Sequence, residues 1–218
     1  MNLQEKIQKS HEVIKQAFVN YDKSAIAIAW TGGKDSTVVL HMTHQLFNKT
    51  IPCRVYFNDS GYEFPEVLQF IDRLVDEWDL NLLRHLHSYS DQRRLKRTMD
   101  AKLAREAKVR SIARAVNEFE ISAFIGGIRH DEHPARSQEK YVVDHGDHTR
   151  YHPILHFTED DIWDYIYEYK VPYVDLYDRG YRSLGEKPFT QKAKNGERSG
   201  RDKDKEKVMK RLRSLGYW

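Results

Sequence analysis

Two rhythms of apolar and polar positions run through the first 127 residues. Leu3 to Tyr21 repeats at helical spacing, with Ile7, Val13, Ile14, Ala17 and Phe18 on one side. Ser24 to Trp30 (SAIAIAW) is an apolar run of strand length, and a glycine loop follows it. Ser36 to Phe47 returns to the helical period. Pro52 to Asn58 (PCRVYFN) predicts a second strand, and Phe64 to Trp78 a helix whose start is marked by Glu63, Pro65 and Glu66. Leu80 to Leu86 predicts a third strand. Arg93 to Phe119 predicts one long basic helix, and Ile121 to Ile125 (ISAFI) a fourth strand closed by Gly126 and Gly127. Strand and helix thus alternate, which predicts an α/β fold: a parallel sheet flanked by helices, joined by right-handed crossovers. Ligands in such sheets bind beyond the carboxyl ends of the strands. Thr31–Thr37, Asn58–Tyr62 and Gly126–Arg136 fall there.

The second half is less regular. His133 to Arg150 reads as a polar loop. Thr158 to Lys170 predicts a helix with Thr158 as N-cap, Asp160 and Asp161 in its first turn, and Pro172 as its stop. Gly180 to Arg201, rich in Gly, Lys and Arg, reads as irregular and mobile without a ligand. Lys203 to Leu215 predicts a last, charged helix.

Composition narrows the class. The chain has 218 residues, 39% apolar and 32% charged, enough for one domain with an appended tail. It has no apolar run of about 18 residues, so no membrane span is expected. Its N-terminus lacks the apolar core of a secretory signal. The single cysteine, Cys53, excludes an intramolecular disulfide or a thiolate metal cluster within one chain. A cytoplasmic location is the expectation. Net charge is only +3, but basic residues crowd Arg84–Arg114 and Arg179–Arg213. These are either solvated helical faces or a positive rim around a polyanion, with nucleic acid as a third reading.

The glycine loop carries the chemistry. Between a strand and a helix, Gly32 and Gly33 let backbone amides approach phosphate oxygens, and the helix N-terminus adds positive partial charge. Ser36 and Thr37 can donate hydroxyls, and Lys34 can add a charge. The spacing is neither GxxxxGK[ST] nor GxGxxG. Asp59 and Glu63 can orient a ribose or magnesium, or simply cap the next helix. Arg129 and Arg136 suit anionic oxygens, or pair with Asp131 or Glu132. Eleven histidines lack the spacing of a zinc site, and no HExxH is present.

Thr31-Gly32-Gly33-Lys34-Asp35-Ser36-Thr37 resembles the SGGxDS signature of the PP-loop ATP pyrophosphatases, with Thr31 keeping the hydroxyl of the first serine. Tyr56-Phe57-Asn58-Asp59-Ser60-Gly61-Tyr62-Glu63-Phe64-Pro65-Glu66 resembles the TGYEFPE segment of the sulfonucleotide branch, which holds phosphoadenylylsulfate (PAPS) reductases, the small subunit of bacterial ATP sulfurylase and FAD synthases. Gly126–Glu132 with Arg136 resembles its G-x-R-x-D-E stretch. His152-Pro153-Ile154-Leu155, Trp163, Pro172-Tyr173 and Leu176-Tyr177 resemble a further shared stretch, and Gly180–Gly185 the G-Y-x-S-L-G turn. Glu197-Arg198-Ser199-Gly200-Arg201 and Gly216-Tyr217-Trp218 resemble the end of the sulfurylase small subunit.

The resemblance implies an adenine nucleotide α-hydrolase-like, Rossmann-like fold. It implies a nucleotide-binding domain over 1–178 and a basic tail over 179–218 that closes on the active site. It implies catalytic roles for Lys34, Asp35, Arg129 and Arg182, with Asp35 holding magnesium. It implies nucleotide binding by Ala29, Trp30, Thr31, Gly32, Gly33, Ser36, Thr37, Phe57, Asp59, Gly127, Arg136, Arg198 and Arg201. Reductases of the family use a C-terminal cysteine in an E-C-G-x-H setting, and this chain has no cysteine after Cys53. An adenylyltransferase needs no protein nucleophile. The expected reaction is adenylylsulfate formation from ATP and sulfate with release of pyrophosphate. Adenylyl transfer to FMN is the alternative, and modification of nucleic acid is a further, disfavoured one. Magnesium is expected to arrive with ATP. No haem, flavin prosthetic group or iron–sulfur cluster is expected. A GTPase-type partner subunit and a homodimer are left open.

Overall fold

The protein is represented by a computed structural model that describes residues 1–203 and 208–214. Its strands are β1 (Ile26–Ala29), β2 (Arg54–Asp59), β3 (Leu82–Leu86), β4 (Ala123–Gly126), β5 (Val142–Asp144) and β6 (Thr149–Tyr151). Its helices are α1 (Leu3–Asn20), α2 (Lys34–Leu46), α3 (Pro65–Glu77), α4 (Tyr89–Thr98), α5 (Ala101–Glu118), α6 (Glu159–Glu168) and α7 (Met209–Ser214). The strands form one sheet in the order β3-β2-β1-β4-β6-β5.

Period-two alternation sends the side chains of each strand to two different cores. Ile26 and Ile28 of β1, Val55 and Phe57 of β2, and Ala123 and Ile125 of β4 join one cluster with residues of α1, α2, α3 and α6. Ala27, Tyr56 and Phe124 join another with Ala115 and Val116 of α5. A sheet covered on both faces is the usual setting of parallel strands. The pairs β1–β2, β1–β4, β2–β3 and β4–β6 are parallel, as expected.

The fold class is as expected, with mostly parallel strands, and β5 adds an antiparallel edge beside β6. Two local expectations are corrected. β5 and the first two residues of β6 lie in the stretch read as a loop. Both strands are three residues each, too short to establish a period, and turn through Gly146 at φ +88. The long basic helix is two helices. Met99 adopts the left-handed conformation, and the Asp100 carboxylate then caps α5 by accepting from the Lys102 and Leu103 amides at 2.7 and 3.2 Å. Thr158 caps α6 as expected, and the structure adds a reciprocal box in which Thr158 and Asp161 each accept from the other's amide. Of the expected last helix, α7 lies within the described residues, while residues 204–207 and Gly216-Tyr217-Trp218 lie outside them.

β1 and β4 are neighbours, with Ala29 opposite Gly126. The chain leaves them toward opposite sides of the sheet, α2 leading to β2 on one side and the run after β4 leading to β6 on the other. The strand order reverses here, and a crevice opens at the carboxyl ends.

Candidate active site

The loop after β1 is held by its own hydroxyls. The Trp30 indole donates to Thr37 Oγ1 at 2.9 Å, and that hydroxyl donates to the Gly33 carbonyl at 2.9 Å. Ser36 Oγ donates to the same carbonyl at 3.0 Å and lies 3.2 Å from Thr31 Oγ1. Gly33 is the N-cap of α2 and supplies no side-chain cap. The first-turn amides of α2 thus have no side-chain cap, and Gly33, Asp35 and Ser36 line the crevice at the positive end of the helix. One of these amides is committed, since the Lys34 N–H donates to the Tyr177 hydroxyl at 2.8 Å.

Glycine is needed at two points. Gly32 has φ +72, and a Cβ there would lie 2.9 Å from Val67 Cγ1. At Gly127, a Cβ would lie 2.9 Å from both the Asp35 carbonyl carbon and the Ser36 nitrogen. The end of β4 thus presses directly on the first turn of α2.

Beneath the loop lies a buried charge cluster. Lys34 Nζ is 2.5 Å from Glu197 Oε1, 3.5 Å from Asp35 Oδ2 and 3.8 Å from Glu159 Oε1, and it donates to the Arg182 carbonyl at 2.8 Å. Arg129, fully buried, donates from Nε to Asp35 at 2.6 Å and from Nη1 to Asp131 at 2.9 Å. Its Nη2 lies 2.6 and 2.7 Å from the two oxygens of Glu197. Burial alone would raise the Asp35 pKa, but Lys34 and Arg129 reverse this and hold it at about 2. Burial alone would lower that of Lys34, and Asp35 and Glu197 outweigh it, so the ammonium is held charged. Glu197 comes from the tail, whose 180–203 segment lies across the loop. Arg182 pairs with Glu159, and Arg198 reaches Glu132 at 3.3 Å.

Above the cluster is a cavity of about 240 Å³. It is lined by Ala29, Trp30, Thr31, Gly33, Asp35, Ser36, Phe57, Gly127, Arg136, Arg198 and Arg201, all expected from the sequence. Among the described residues, Gly32, Lys34, Thr37, Asp59, Arg129 and Arg182 do not line it. Thr37 and Gly32 shape the loop from beneath. Asp59 closes the turn after β2, accepting from the Gly61 amide and from Arg84 Nε at 2.7 Å each.

Other lining residues were not among the expected site residues. Tyr56, Ile112 and Phe124 form an apolar wall where α5 meets the sheet, with Lys108 nearby, and Arg150 and His152 stand at the end of β6. Only the period-two alternation of β2 and β4 could have placed Tyr56 and Phe124 on one face. Glu197 was quoted only as part of a motif, and no local pattern marks it as the partner of Lys34.

Within Arg84–Arg114 several arginines are paired, while Lys108 lines the cavity. Arg84 is held by Asp59, Arg110 by Asp91 at 2.5 Å, and Arg105 by Asp202. Cys53 is buried in the core, and burial pushes its thiol up to about 12. Among the described residues, oxygens of Asp35, Glu132 and Glu197 lie within 4.8 Å of one another, a set of hard donors of the kind magnesium takes. No helix among the described residues is long and apolar enough to cross a membrane.

Comparison with known proteins shows the family of the chain. A family model described as phosphoadenosine phosphosulfate reductase domain matches residues 25–192. Phosphoadenosine 5'-phosphosulfate reductase of Photobacterium profundum is 29% identical over 86% of this chain and 76% of its own. Sulfate adenylyltransferase subunit 2 of Pseudomonas paraeruginosa is 28% identical over 96% of this chain and 79% of its own. Among solved structures, FMN adenylyltransferase of Candida glabrata, in complex with FAD and inorganic pyrophosphate, superposes with a TM-score of 0.67 at 20% identity, over 89% of this chain and 69% of its own, a likeness of fold.

Proposed function

The chain belongs to the phosphoadenosine phosphosulfate reductase domain family, and we propose that within it this protein is an adenylyltransferase joining the AMP part of ATP to sulfate. The observation that carries the reading is the thiol inventory. Cys53 is the chain's one cysteine, it is 5% exposed within the core, and its pKa lies far above neutrality. A reductase working through a thiolate has no nucleophile here. Adenylyl transfer needs none. A sulfate oxygen attacks the α-phosphorus, the bond from that phosphorus to the bridging oxygen breaks, and pyrophosphate leaves with the electron pair.

The chain's own contribution is position and charge. The amides at the start of α2 receive phosphate oxygens, and Lys34 and Arg129 neutralise the departing pyrophosphate once Glu197 moves aside. Ala29, Phe57 and the wall of Tyr56, Ile112 and Phe124 take the flat base. Arg136, Arg182, Arg198 and Arg201 complete the anionic contacts, with residues 179–218 acting as the closing tail. Magnesium comes as part of the ATP substrate, and Asp35 and Glu132 would hold it, spreading charge from the phosphates. The relative's name, subunit 2, supports a second subunit in the working enzyme. A cytoplasmic site of action belongs to the same reading.

The test is product identity. ATP, magnesium and labelled sulfate should yield adenylylsulfate. A second reading, transfer to FMN, is favoured by the apolar wall, which suits an isoalloxazine ring as well as adenine, and FAD as the product would select it. Neither product, with or without a partner subunit, would sink both readings.

A further inference from the structure

His152 lines the cavity and is 2% exposed. Among the described residues, neither of its ring nitrogens has a hydrogen-bond partner. A buried imidazole with both nitrogens unmet is costly, and such groups in folded proteins are matched by water or a ligand. His152 stands next to the loop's contact with β4, since a Cβ on Gly126 would lie 4.0 Å from its Nδ1.

Its surroundings are cationic. Arg150 and Arg136 line the same cavity and are 5% and 7% exposed. Arg150 opposes Phe124 across the β4–β6 pair and is aimed by His148, whose Nε2 accepts from its Nε at 2.8 Å. The Asp147 carboxylate in turn holds His148 Nδ1 at 2.7 Å. Arg136 is braced by Glu132. Burial, then Arg150 and Arg136, push the His152 pKa down to about 3, so its ring is neutral and offers one N–H.

We propose that Arg136, Arg150 and His152 form the acceptor subsite, a pocket for a tetrahedral dianion beside the α-phosphorus. Two guanidinium groups supply planar paired donors and the imidazole a third. Inorganic sulfate and the phosphate monoester of FMN share this chemistry. The inference rests on the transferase reading for its role, but the pocket itself can be tested without turnover.

The experiment measures binding to the full chain by equilibrium dialysis, with labelled sulfate, FMN and ATP as separate probes. The variants are His152→Phe, His152→Asn and Arg150→Met, each checked for folding by circular dichroism. His152→Phe and Arg150→Met should weaken the dianion at least tenfold while ATP affinity stays within twofold. His152→Asn, which keeps an N–H donor, should recover most of the loss. Should His152→Phe not fold, Arg150→Met and His152→Asn still decide. A loss confined to sulfate names sulfate as the ligand, and one confined to FMN names the monoester. Unchanged dianion binding, or a loss in ATP affinity instead, overturns the subsite. Dianion binding that falls as stated in a protein forming neither adenylylsulfate nor FAD leaves the subsite standing and removes the transferase reading. Product formation with unaltered acceptor affinity in the variants does the reverse.

Discussion

The Glu197 carboxylate sits 2.5 Å from the Lys34 ammonium, although the two residues are 163 apart in the chain. The same carboxylate spans Arg129 Nη2. An anion from the tail therefore occupies both cations on which a pyrophosphate would bear. Glu197→Gln should leave two buried cations short of a partner. Because Asp35 still faces both, the expected cost is about 3 kcal/mol, the low end for breaking a buried pair. Pyrophosphate should bind the variant more tightly, by about tenfold, since its competitor is gone. Thermal melts with and without pyrophosphate, beside calorimetric titration, check both. Equal affinity in the two proteins would mean that Glu197 does not compete.

Gly127 is the second loop contact. With a Cβ placed 2.9 Å from the backbone of Asp35 and Ser36, Gly127→Ala has to push the first turn of α2 away from β4. ATP affinity should fall at least tenfold, with global stability lowered by about 1–3 kcal/mol. Titration of ATP into the folded variant decides the matter, and native affinity would show that the loop tolerates the shift.

Glu63 gives the pH dependence. Burial, then the neighbouring Glu186 carboxylate, raise its pKa from 4.5 to about 7. The folded state thus holds this proton more tightly than the unfolded chain does. The stability that follows is fully present below about pH 4.5 and is lost as pH rises to about 7. Glu63→Gln removes that loss. It should stabilise the protein above pH 7 by about 1–2 kcal/mol, reduced from the full shift by solvent at the cavity mouth. The gain should vanish near pH 4.5. Denaturant midpoints across this range supply the check, and a gain independent of pH would contradict the assignment.

Cys53 separates transfer from reduction. Its place in the core predicts that Cys53→Ala costs about 1–2 kcal/mol of stability. Turnover should stay within twofold of wild type, and a thiol-alkylating reagent should not inhibit the native protein. Loss of turnover in a folded variant would restore a thiol mechanism.

The features legible in the sequence are those written in local chemistry. Thr31–Thr37 concentrates small and polar residues at a strand–helix junction, and Thr158 ahead of Asp160 and Asp161 marks the start of α6. Features made by distant juxtaposition were not legible. Glu197 reaches Lys34 only because the tail crosses the loop. Tyr56, Ile112 and Phe124 come together only when β2, β4 and α5 pack. Asp100 was a readable cap, but the helical period on both sides of Met99 concealed the break. His152 stood in a stretch quoted for its resemblance, but nothing local placed it at the cavity, to which β6 carries it.

The central claim, adenylyl transfer at the Thr31–Thr37 loop, is tested most directly in reverse. Adenylylsulfate and pyrophosphate, supplied with magnesium, should yield ATP, followed as it forms. The account predicts ATP from the wild-type protein and none from a Lys34→Ala, Asp35→Ala double variant that remains folded. No ATP from the wild type, alone or with a partner subunit, or equal ATP from the double variant, would contradict it.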